Sequence, residues 1–155
     1  MYQDAALIVA GSVSGNAVTP QALYGSSTSA LSSYSIDLST KRDMGEGEDL
    51  LMRVTNIAAY TGGTSVEFQA IIADDAALTT NVTVIGTTGA IAVASLTAGS
   101  RLVADLNPQI GSLGRRYLGA RAVNVGANTT GTSLIDFTID VEDGGKFYPV
   151  GFSVS

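Results

Sequence analysis

A stretch near the middle of the chain, Thr64 to Asp75, alternates apolar and polar side chains as far as Ile71. The apolar positions are Val66, Phe68, Ala70 and Ile72. Glu67 and Gln69 lie between them, and successive side chains of an extended backbone point to opposite faces, so the pattern predicts a strand with one buried and one wet face. Gly62-Gly63 before it is typical of a turn. We therefore expect a central strand of a β-sandwich here.

The composition of the whole chain favours the same kind of sheet. Hydrophobic residues make up 45% of the 155 residues, but aromatic residues only 6%, with no Trp and 18 Gly. Such a chain favours many short strands and small turns, and its length allows one core that buries roughly 70% of the unfolded surface. Further strand-like segments are 34–39, 50–55, 82–85, 90–96, 101–106, 115–125 and 133–142.

These segments predict an all-β fold, a single antiparallel β-sandwich domain of the jelly-roll kind, because no helical pattern alternates with the strands. We expect segments 115–125 and 133–142 to form a hairpin. Residues 86–89 are predicted as a turn, and residues 76–80 as a short helical turn. The inward-facing side chains are predicted to be Val66, Phe68, Ala70, Ile72, Ile135, Phe137, Ile139 and Val141.

The two ends of the chain differ from its middle. Residues 1–33 read as an apolar arm followed by a loop rich in Ser, Thr and Gly, residues 34–142 as the sandwich, and residues 143–155 as an aromatic tail. Exposed large apolar side chains forfeit about 1.5–3 kcal/mol each, so we expect arm and tail to contact other subunits. On this view a fragment from Ser33 to Asp143 folds alone. The alternative is that both ends pair with the sandwich edge as its first and last strands.

Charge and composition exclude several classes of function. The net charge of −6 and the pI near 4.3 argue against nucleic acid or an anionic membrane as a partner. With no His and no Cys there is no thiol nucleophile, no disulfide and no common near-neutral general base. The start of the chain has no basic segment before its short apolar run, which predicts synthesis in a cytoplasm without a secretory signal.

No motif with supporting context predicts catalysis or metal binding. Lys41 and Lys146 do not stand in a Ser-x-x-Lys spacing, and the chain lacks the Trp platform that sugar sites favour. The acidic segment Asp43 to Asp49 has oxygen ligands but not the spacing of a known calcium loop, so a charged hairpin loop is the preferred interpretation. We predict a protein that is not an enzyme and has no cofactor or metal.

One basic cluster stands out, formed by Arg115, Arg116 and Arg121. Arg115 and Arg121 fall on alternate positions of a predicted strand. The cluster is either a solvated strand end or a contact with an acidic partner, and the sequence leaves both open.

Several blocks of the chain, in order and spacing, resemble a known family, the jelly-roll cement or decoration proteins of tailed bacteriophage capsids, first described in a short-tailed Bordetella phage. The blocks are Ser35 to Leu38, Arg42 to Glu48, Val66 to Gln69 with Asp74 to Ala77, Leu96 to Gly99, Arg116 to Leu118, and Phe147 to Phe152. The longer segment Gly11 to Ser33 departs from that family.

The resemblance implies a structural virion protein that binds the outer surface of an assembled capsid and bridges neighbouring major capsid protein subunits. It implies the major capsid protein and further copies of this chain, as a dimer or trimer, as partners, with no nucleic acid and no membrane. The alternative is a carbohydrate- or receptor-binding β-sandwich module on a phage or cell surface. The residues expected at interfaces are Tyr2, Leu7, Ile8, Val9, Lys41, Arg42, Arg115, Arg116, Phe147, Tyr148 and Phe152.

Overall fold

A computed structural model of the chain describes residues 7–39, 50–107 and 114–139, and nearly all regular structure in these ranges is β-strand. The strands are β1 (Ile8–Ala10), β2 (Ser12–Ser14), β3 (Ala17–Thr19), β4 (Gln21–Ala22), β5 (Ser29–Leu31), β6 (Ile36–Asp37), β7 (Leu50–Ala73), β8 (Thr83–Ala92), β9 (Arg101–Asp105) and β10 (Tyr117–Ile139). One turn of 3-10 helix, Val93–Ser95, follows β8. No helix within these ranges is long enough to cross a membrane.

The fold is built on two long strands, β7 with 24 residues and β10 with 23. They pair antiparallel along their whole length, from Leu50 opposite Ile139 to Ala73 opposite Tyr117. The register between them shifts repeatedly from Val125 to Ser133, which is where β10 contains glycines with positive φ. Such bulges bend a strand and strengthen its twist. The long pair is therefore folded across its middle.

Both halves of the folded pair carry further strands on their outer sides. In one half, β9 pairs with the start of β7, and β1 and β4 pair with the end of β10. In the other half, β8 pairs with the end of β7, and β5 and β6 pair with the start of β10. All these pairings are antiparallel, so the predicted antiparallel sandwich is confirmed.

Hydrogen bonds close the sandwich along both sides where the two halves meet. On one side the Asn107 amide donates to the Ile85 carbonyl at 2.8 Å, which joins the strand ends of β8 and β9. On the other side the Gln21 side chain donates to the Leu31 carbonyl and accepts from the Ser33 amide, both at 2.8 Å. The Tyr34 amide also donates to the Val9 carbonyl at 3.0 Å. These bonds link the two halves at single points, while β1, β4, β5, β6, β8 and β9 each pair with one strand of the sheet.

The core lies between the two halves and confirms the predicted inward face. Val66, Phe68, Ala70, Ile72 and Ile135 are fully buried, and Phe137 is 1% exposed. The Tyr60 and Phe68 rings meet edge to face, with centroids 5.9 Å apart. The side chains of Ile139 and Val141 lie outside the described residues.

A smaller apolar cluster lies on the other face of the second half, where Ile71, Ala73 and Leu78 are buried together. Gly119 makes room for it, because a Cβ there would stand 2.2 Å from Leu78 Cδ1. This second cluster explains why the alternation of the central strand ends at Ile71. Both faces of β7 are covered at that point.

The two predicted hairpin strands, 115–125 and 133–142, are instead consecutive parts of β10, so that prediction is wrong. The glycines and polar residues between them form bulges within one strand. The same holds for Gly62-Gly63 inside β7 and for residues 86–89 inside β8. Glycines read as turns are needed here for close approach, since a Cβ on Gly63 would stand 1.7 Å from Asn128 Oδ1.

The loop predicted from Gly11 to Ser33 is also wrong, because this segment supplies strands β2 to β5. Val9 and Leu23 are fully buried in the main core. The N-terminal strands run along nearly the whole outer edge of β10. A fragment that begins at Ser33 would leave that edge bare, so the structure argues against its folding alone.

The predicted helical turn at residues 76–80 is a tight turn instead. Leu78 has a positive φ of 59°, which is incompatible with a right-handed helix. The Asp75 carboxylate holds the turn, since it accepts hydrogen bonds from the Thr79 and Thr80 amides at 2.9 and 2.7 Å. These bonds, led by the one from Thr80, lower the pKa of Asp75.

Buried polar groups hold the bend of the sheet. The Ser133 hydroxyl lies 2.8 Å from the Tyr60 hydroxyl and donates to Asn56 Oδ1 at 2.8 Å, while Asn56 Nδ2 donates to the Ser100 hydroxyl. Burial raises the pKa of Tyr60 to about 12 although the Ser133 bond opposes this. Gly131 allows the Tyr60 ring to lie against the backbone, because a Cβ there would stand 2.3 Å from the ring.

One ion pair is buried on the first half of the sheet. Arg53 and Asp136 are opposite each other in β7 and β10 and are 6% and 2% exposed. Arg53 Nε donates to Asp136 Oδ1 at 3.1 Å, and Nη2 binds Oδ2. Arg53 Nη1 is buried without a hydrogen-bond partner. The guanidinium therefore depends on this one carboxylate.

Candidate functional site

The two adjacent arginines of the predicted basic cluster lie just before β10 and are both paired within the chain. Arg116 donates to both carboxylate oxygens of Asp37, at 2.7 and 2.6 Å, and its guanidinium lies 5.2 Å from the centre of the Tyr117 ring. Arg115 Nη1 is 3.3 Å from both oxygens of Asp74. Neither arginine is buried, so both remain accessible to a partner.

Arg121, the third member of the cluster, lies inside β10 opposite Gln69 of β7. Its Nε donates to Gln69 Oε1 at 2.6 Å. Gln69 in turn donates to Glu67, which also accepts from the Thr87 hydroxyl. These bonds, with Gln69 contributing most, lower the pKa of Glu67. The polar face of the predicted central strand is therefore an ordered network.

The Arg116–Asp37 pair shifts the pKa of both of its members. The hydrogen bond from Arg116, helped by one from the Ser39 amide, lowers the pKa of Asp37 to about 2. The same pairing raises the pKa of Arg116. Because each of the two arginines faces a carboxylate, the local charges are balanced.

We expect replacement of Arg116 by Gln to raise the pKa of Asp37 from about 2 towards its ordinary value of 3.8. The native pKa is lowered, so the pair's contribution to stability is present above pH 3.8 and is lost as the pH falls towards 2. Carboxyl-detected NMR titration of both proteins measures this. Asp75 is the internal control, because Thr79 and Thr80 rather than Arg116 lower its pKa. An unchanged Asp37 titration in the variant would contradict the pairing.

The predicted interface residues of the N-terminal arm have a different environment from the expected one. Ile8 and Val9 belong to β1, which pairs with β10, and they are 6% and 0% exposed. Leu7 is partly exposed. Ile8 and Val9 are therefore largely covered within the chain's own fold, and their expected role at an interface stays a prediction. For Ile8–Ala10, the part of the arm that forms β1, the structure shows the alternative of pairing with the sandwich edge.

The remaining predicted interface residues lie outside the described residues, and so does the acidic segment Asp43 to Asp49. They are Tyr2, Lys41, Arg42, Phe147, Tyr148 and Phe152. Their roles stay predictions. In the described ranges, no three acidic side chains come together in a group that could hold a metal ion.

A surface groove lies beside the N-terminal strands. It has a volume of about 280 Å³ and is lined by residues of two segments, Ile8, Gly11, Ser12 and Val13 from the first and Tyr34, Ser35 and Ile36 from the second. Tyr34 is 58% exposed, an unusual degree for a large aromatic side chain. No charged residue occurs anywhere from Ala5 to Ile36. The groove is therefore uncharged in an otherwise acidic protein.

The groove is flanked by a hairpin that the sequence analysis missed. Strands β2 and β3 pair only with each other in the described structure, and nearly all their side chains are exposed. Gly15, with φ of 59°, and Asn16 form a two-residue loop of the kind that joins antiparallel strands. The alternation of Val13 and Val18 with Ser and Thr around Gly-Asn was the available signal.

Taken together, the fold and this surface define an all-β antiparallel sandwich with an uncharged groove and two arginines that are paired with carboxylates. Comparison with protein families finds a match to the family model Bbp16 over residues 15–139, more than half of the chain. The chain therefore belongs to the Bbp16 family, a phage protein family whose name suggests Bordetella phage. A search of curated proteins found no match.

Proposed function

We propose that this chain is a cement or decoration protein, which binds the outer surface of a bacteriophage capsid and bridges major capsid protein subunits to stabilise the shell. The observation that carries the proposal is membership of the Bbp16 phage family over residues 15–139. The chain's location is then the outside of the virion, after synthesis in the host cytoplasm. Its partners are the major capsid protein and neighbouring copies of itself.

The architecture supports a role in which the protein carries load between subunits. β7 and β10 each run through both halves of the sandwich, so the halves are joined by continuous backbone and by the ladder between the two strands. The edges where the halves meet are joined by hydrogen bonds. These connections favour a stiff body, which suits a protein that bridges subunits.

Five of the six described acidic residues are held in ion pairs or hydrogen bonds, which supports a structural role rather than a catalytic one. Asp37, Asp74 and Asp136 are paired with arginines, and Asp75 and Glu67 are held by hydrogen bonds to neighbouring groups. General acid–base catalysis needs a carboxyl group poised near the working pH. The pKa of Asp37, Glu67 and Asp75 is instead lowered by these bonds. We propose a protein without enzymatic activity, cofactor or metal.

Cosedimentation with phage shells tests the proposed function. We expect the purified full-length chain to pellet with shells from which the native copies have been stripped, and to make those shells more resistant to heat. A ligand that binds only the assembled state stabilises it by mass action, and many copies act together. Shells that keep their native copies are the control and should bind little. A chain that ignores stripped shells but binds glycans or host cells would favour the alternative function.

A further inference from the structure

The buried polar side chains of the described ranges all belong to the two long strands. Positions inside a sheet are ordinarily apolar, because a buried polar group must find a hydrogen-bond partner. In residues 7–39, 50–107 and 114–139 the buried polar or charged residues are Arg53, Asn56, Asn124, Asn128, Ser133 and Asp136, which lie on β7 or β10. This placement points to a role in the pairing of these two strands.

The register between β7 and β10 sets how the outer strands of the described sheet lie relative to one another. β8 and β9 pair with β7, whereas β1, β4, β5 and β6 pair with β10. A shift of β10 along β7 by two residues would move one group of outer strands past the other by about 7 Å. A surface to which both groups contribute therefore has a fixed spacing only if this register is unique.

The apolar pattern alone does not select one register. A shift by one residue would turn the core side chains outward, but a shift by two keeps every side chain on its own face. Between the two halves, residues 126–132 of β10 read Gly-Ala-Asn-Thr-Thr-Gly-Thr, and the register shifts repeatedly along them. Polar, glycine-rich strand segments specify register weakly. Another interaction must hold the alignment on either side of this segment.

Asn56, Tyr60 and Ser133, which we call the Ser133 cluster, lie on one side of it. Asn56 and Ser133 are opposite each other in β7 and β10, both are fully buried, and the Ser133 hydroxyl donates to Asn56 Oδ1 at 2.8 Å. The Tyr60 hydroxyl lies 2.8 Å from the Ser133 hydroxyl. A shift by two residues in one direction would place Asn56 opposite Ile135. Each buried polar group left unpaired would disfavour that register by about tenfold or more.

Asn124 and Asn128, which we call the Asn124 cluster, lie at the other side of the bulged segment. Asn128 Nδ2 donates to Asn124 Oδ1 at 2.8 Å and lies 3.4 Å from the Ser65 carbonyl of β7. Asn124 Nδ2 donates to the carbonyls of Leu23 and Thr28, at 3.0 and 3.2 Å, in the connection between β4 and β5. The cluster thus joins β10 to β7 and to the N-terminal strands at a single place.

We propose that the Ser133 cluster and the Asn124 cluster fix the register of β7 against β10, and with it the spacing between the two groups of outer strands. The Arg53–Asp136 ion pair selects less strictly, because a long side chain also reaches a diagonal neighbour on the opposite strand. The inference concerns the fold and does not rest on the proposed function. Its test uses the isolated chain, so the failure of one leaves the other standing.

Apolar replacement of the Ser133 cluster in the full-length chain tests the inference. The triple variant Asn56→Leu, Tyr60→Phe and Ser133→Ala removes both partners of each hydrogen bond inside the cluster, a change that a core tolerates better than the loss of one partner. We expect the variant to fold and to populate a second register, which doubles the amide NMR signals of β9 and of the end of β10. Nuclear Overhauser contacts between positions 56 and 133 report the native register, and contacts between 56 and 135 report the shifted one.

Val54→Ile combined with Ile135→Val is the matched control. These residues are opposite each other in the core, and the exchange alters apolar packing while every polar pair stays. The parent and the control should each show one set of signals. Doubled signals in the control would overturn the inference, because apolar packing would then be what fixes the register.

A milder variant, Tyr60→Phe with Ser133→Ala, keeps the test decisive if the triple variant does not fold, and it is expected to show the same doubling. A single native register in every folded variant of the Ser133 cluster would overturn the inference. Failure of both variants to fold would also contradict it, because a cluster that selects the register does not decide whether the core forms.

Discussion

Replacement of Phe137 by Ala is expected to lower the free energy of unfolding by ~3–5 kcal/mol, as large-to-small changes in a packed core do. Phe137 is 1% exposed, belongs to the main core and lies opposite Met52, which is fully buried. The truncation removes the ring's contacts and leaves a cavity. The sheet cannot collapse into this cavity, because β10 is paired with β7 on one edge and with β1 on the other. Urea unfolding followed by circular dichroism measures the change.

Val103→Ala is the control for this prediction. Val103 is 56% exposed on β9, so its truncation should change the free energy of unfolding by less than about 0.5 kcal/mol. If Phe137→Ala is as mild as Val103→Ala, the ring does not lie in the core that the structure assigns to it.

Replacement of Asp136 by Ala is the second change expected to have a large effect, about 3–5 kcal/mol. Breaking a buried ion pair from one side leaves the other charge buried without compensation. Arg53 is 6% exposed and its Nη1 already lacks a partner, so the loss of Asp136 removes the carboxylate that binds both Nε and Nη2. Thermal and urea unfolding of the variant measure the cost.

Two further variants separate charge burial from general damage. The double replacement Arg53→Met with Asp136→Leu removes both charges and should recover much of the lost stability, because apolar pairs often replace buried ion pairs at little cost. Arg115→Gln breaks the partly exposed pair with Asp74 and should cost no more than about 1 kcal/mol. A double variant as unstable as Asp136→Ala would contradict the view that the unpaired guanidinium is the cause.

The sequence predicted the core well because the alternation of side chains reports directly on which face is buried. Phe68 and Phe137 both occupy the main core, as the two-residue period requires. The class of fold followed from the same signal. The prediction of the fold class depends only on local pattern and composition, and a single sequence shows both.

The continuity of the strands could not be predicted in the same way. Gly62-Gly63 and the glycines of residues 126–131 have the composition of turns, yet they form bulges inside β7 and β10. The difference lies in what approaches them, such as Asn128 against Gly63 and the Tyr60 ring against Gly131. Those neighbours are distant in sequence, so the local pattern cannot distinguish a bulge from a turn.

The candidate site was likewise only partly predictable from the sequence. The arginine cluster was visible in the sequence, but the partner of Arg116, Asp37, lies 79 residues away and was not. The groove beside Tyr34 was missed because the Ser- and Thr-rich segment carries a weak hydrophobic signal. The dipeptide Gly15-Asn16 was the strongest local signal of a hairpin in this segment. The high Ser, Thr and Gly content favoured a loop instead, and the prediction followed that content.

The position of β10 after all other described strands has a consequence for how the chain folds. Strands β7, β8 and β9 follow one another, and both β8 and β9 pair with β7, so these three strands can associate early, whereas β1, β4, β5 and β6 have only β10 as a neighbour in the sheet. Contact between Ile8 and Asp136 closes a loop of most of the chain, and such long-range pairing is slow, on the order of milliseconds to seconds. During synthesis, β1, β4, β5 and β6 therefore stay without their sheet partner until β10 has been made. Their lengths of two or three residues make each a poor template for misassembly during that delay.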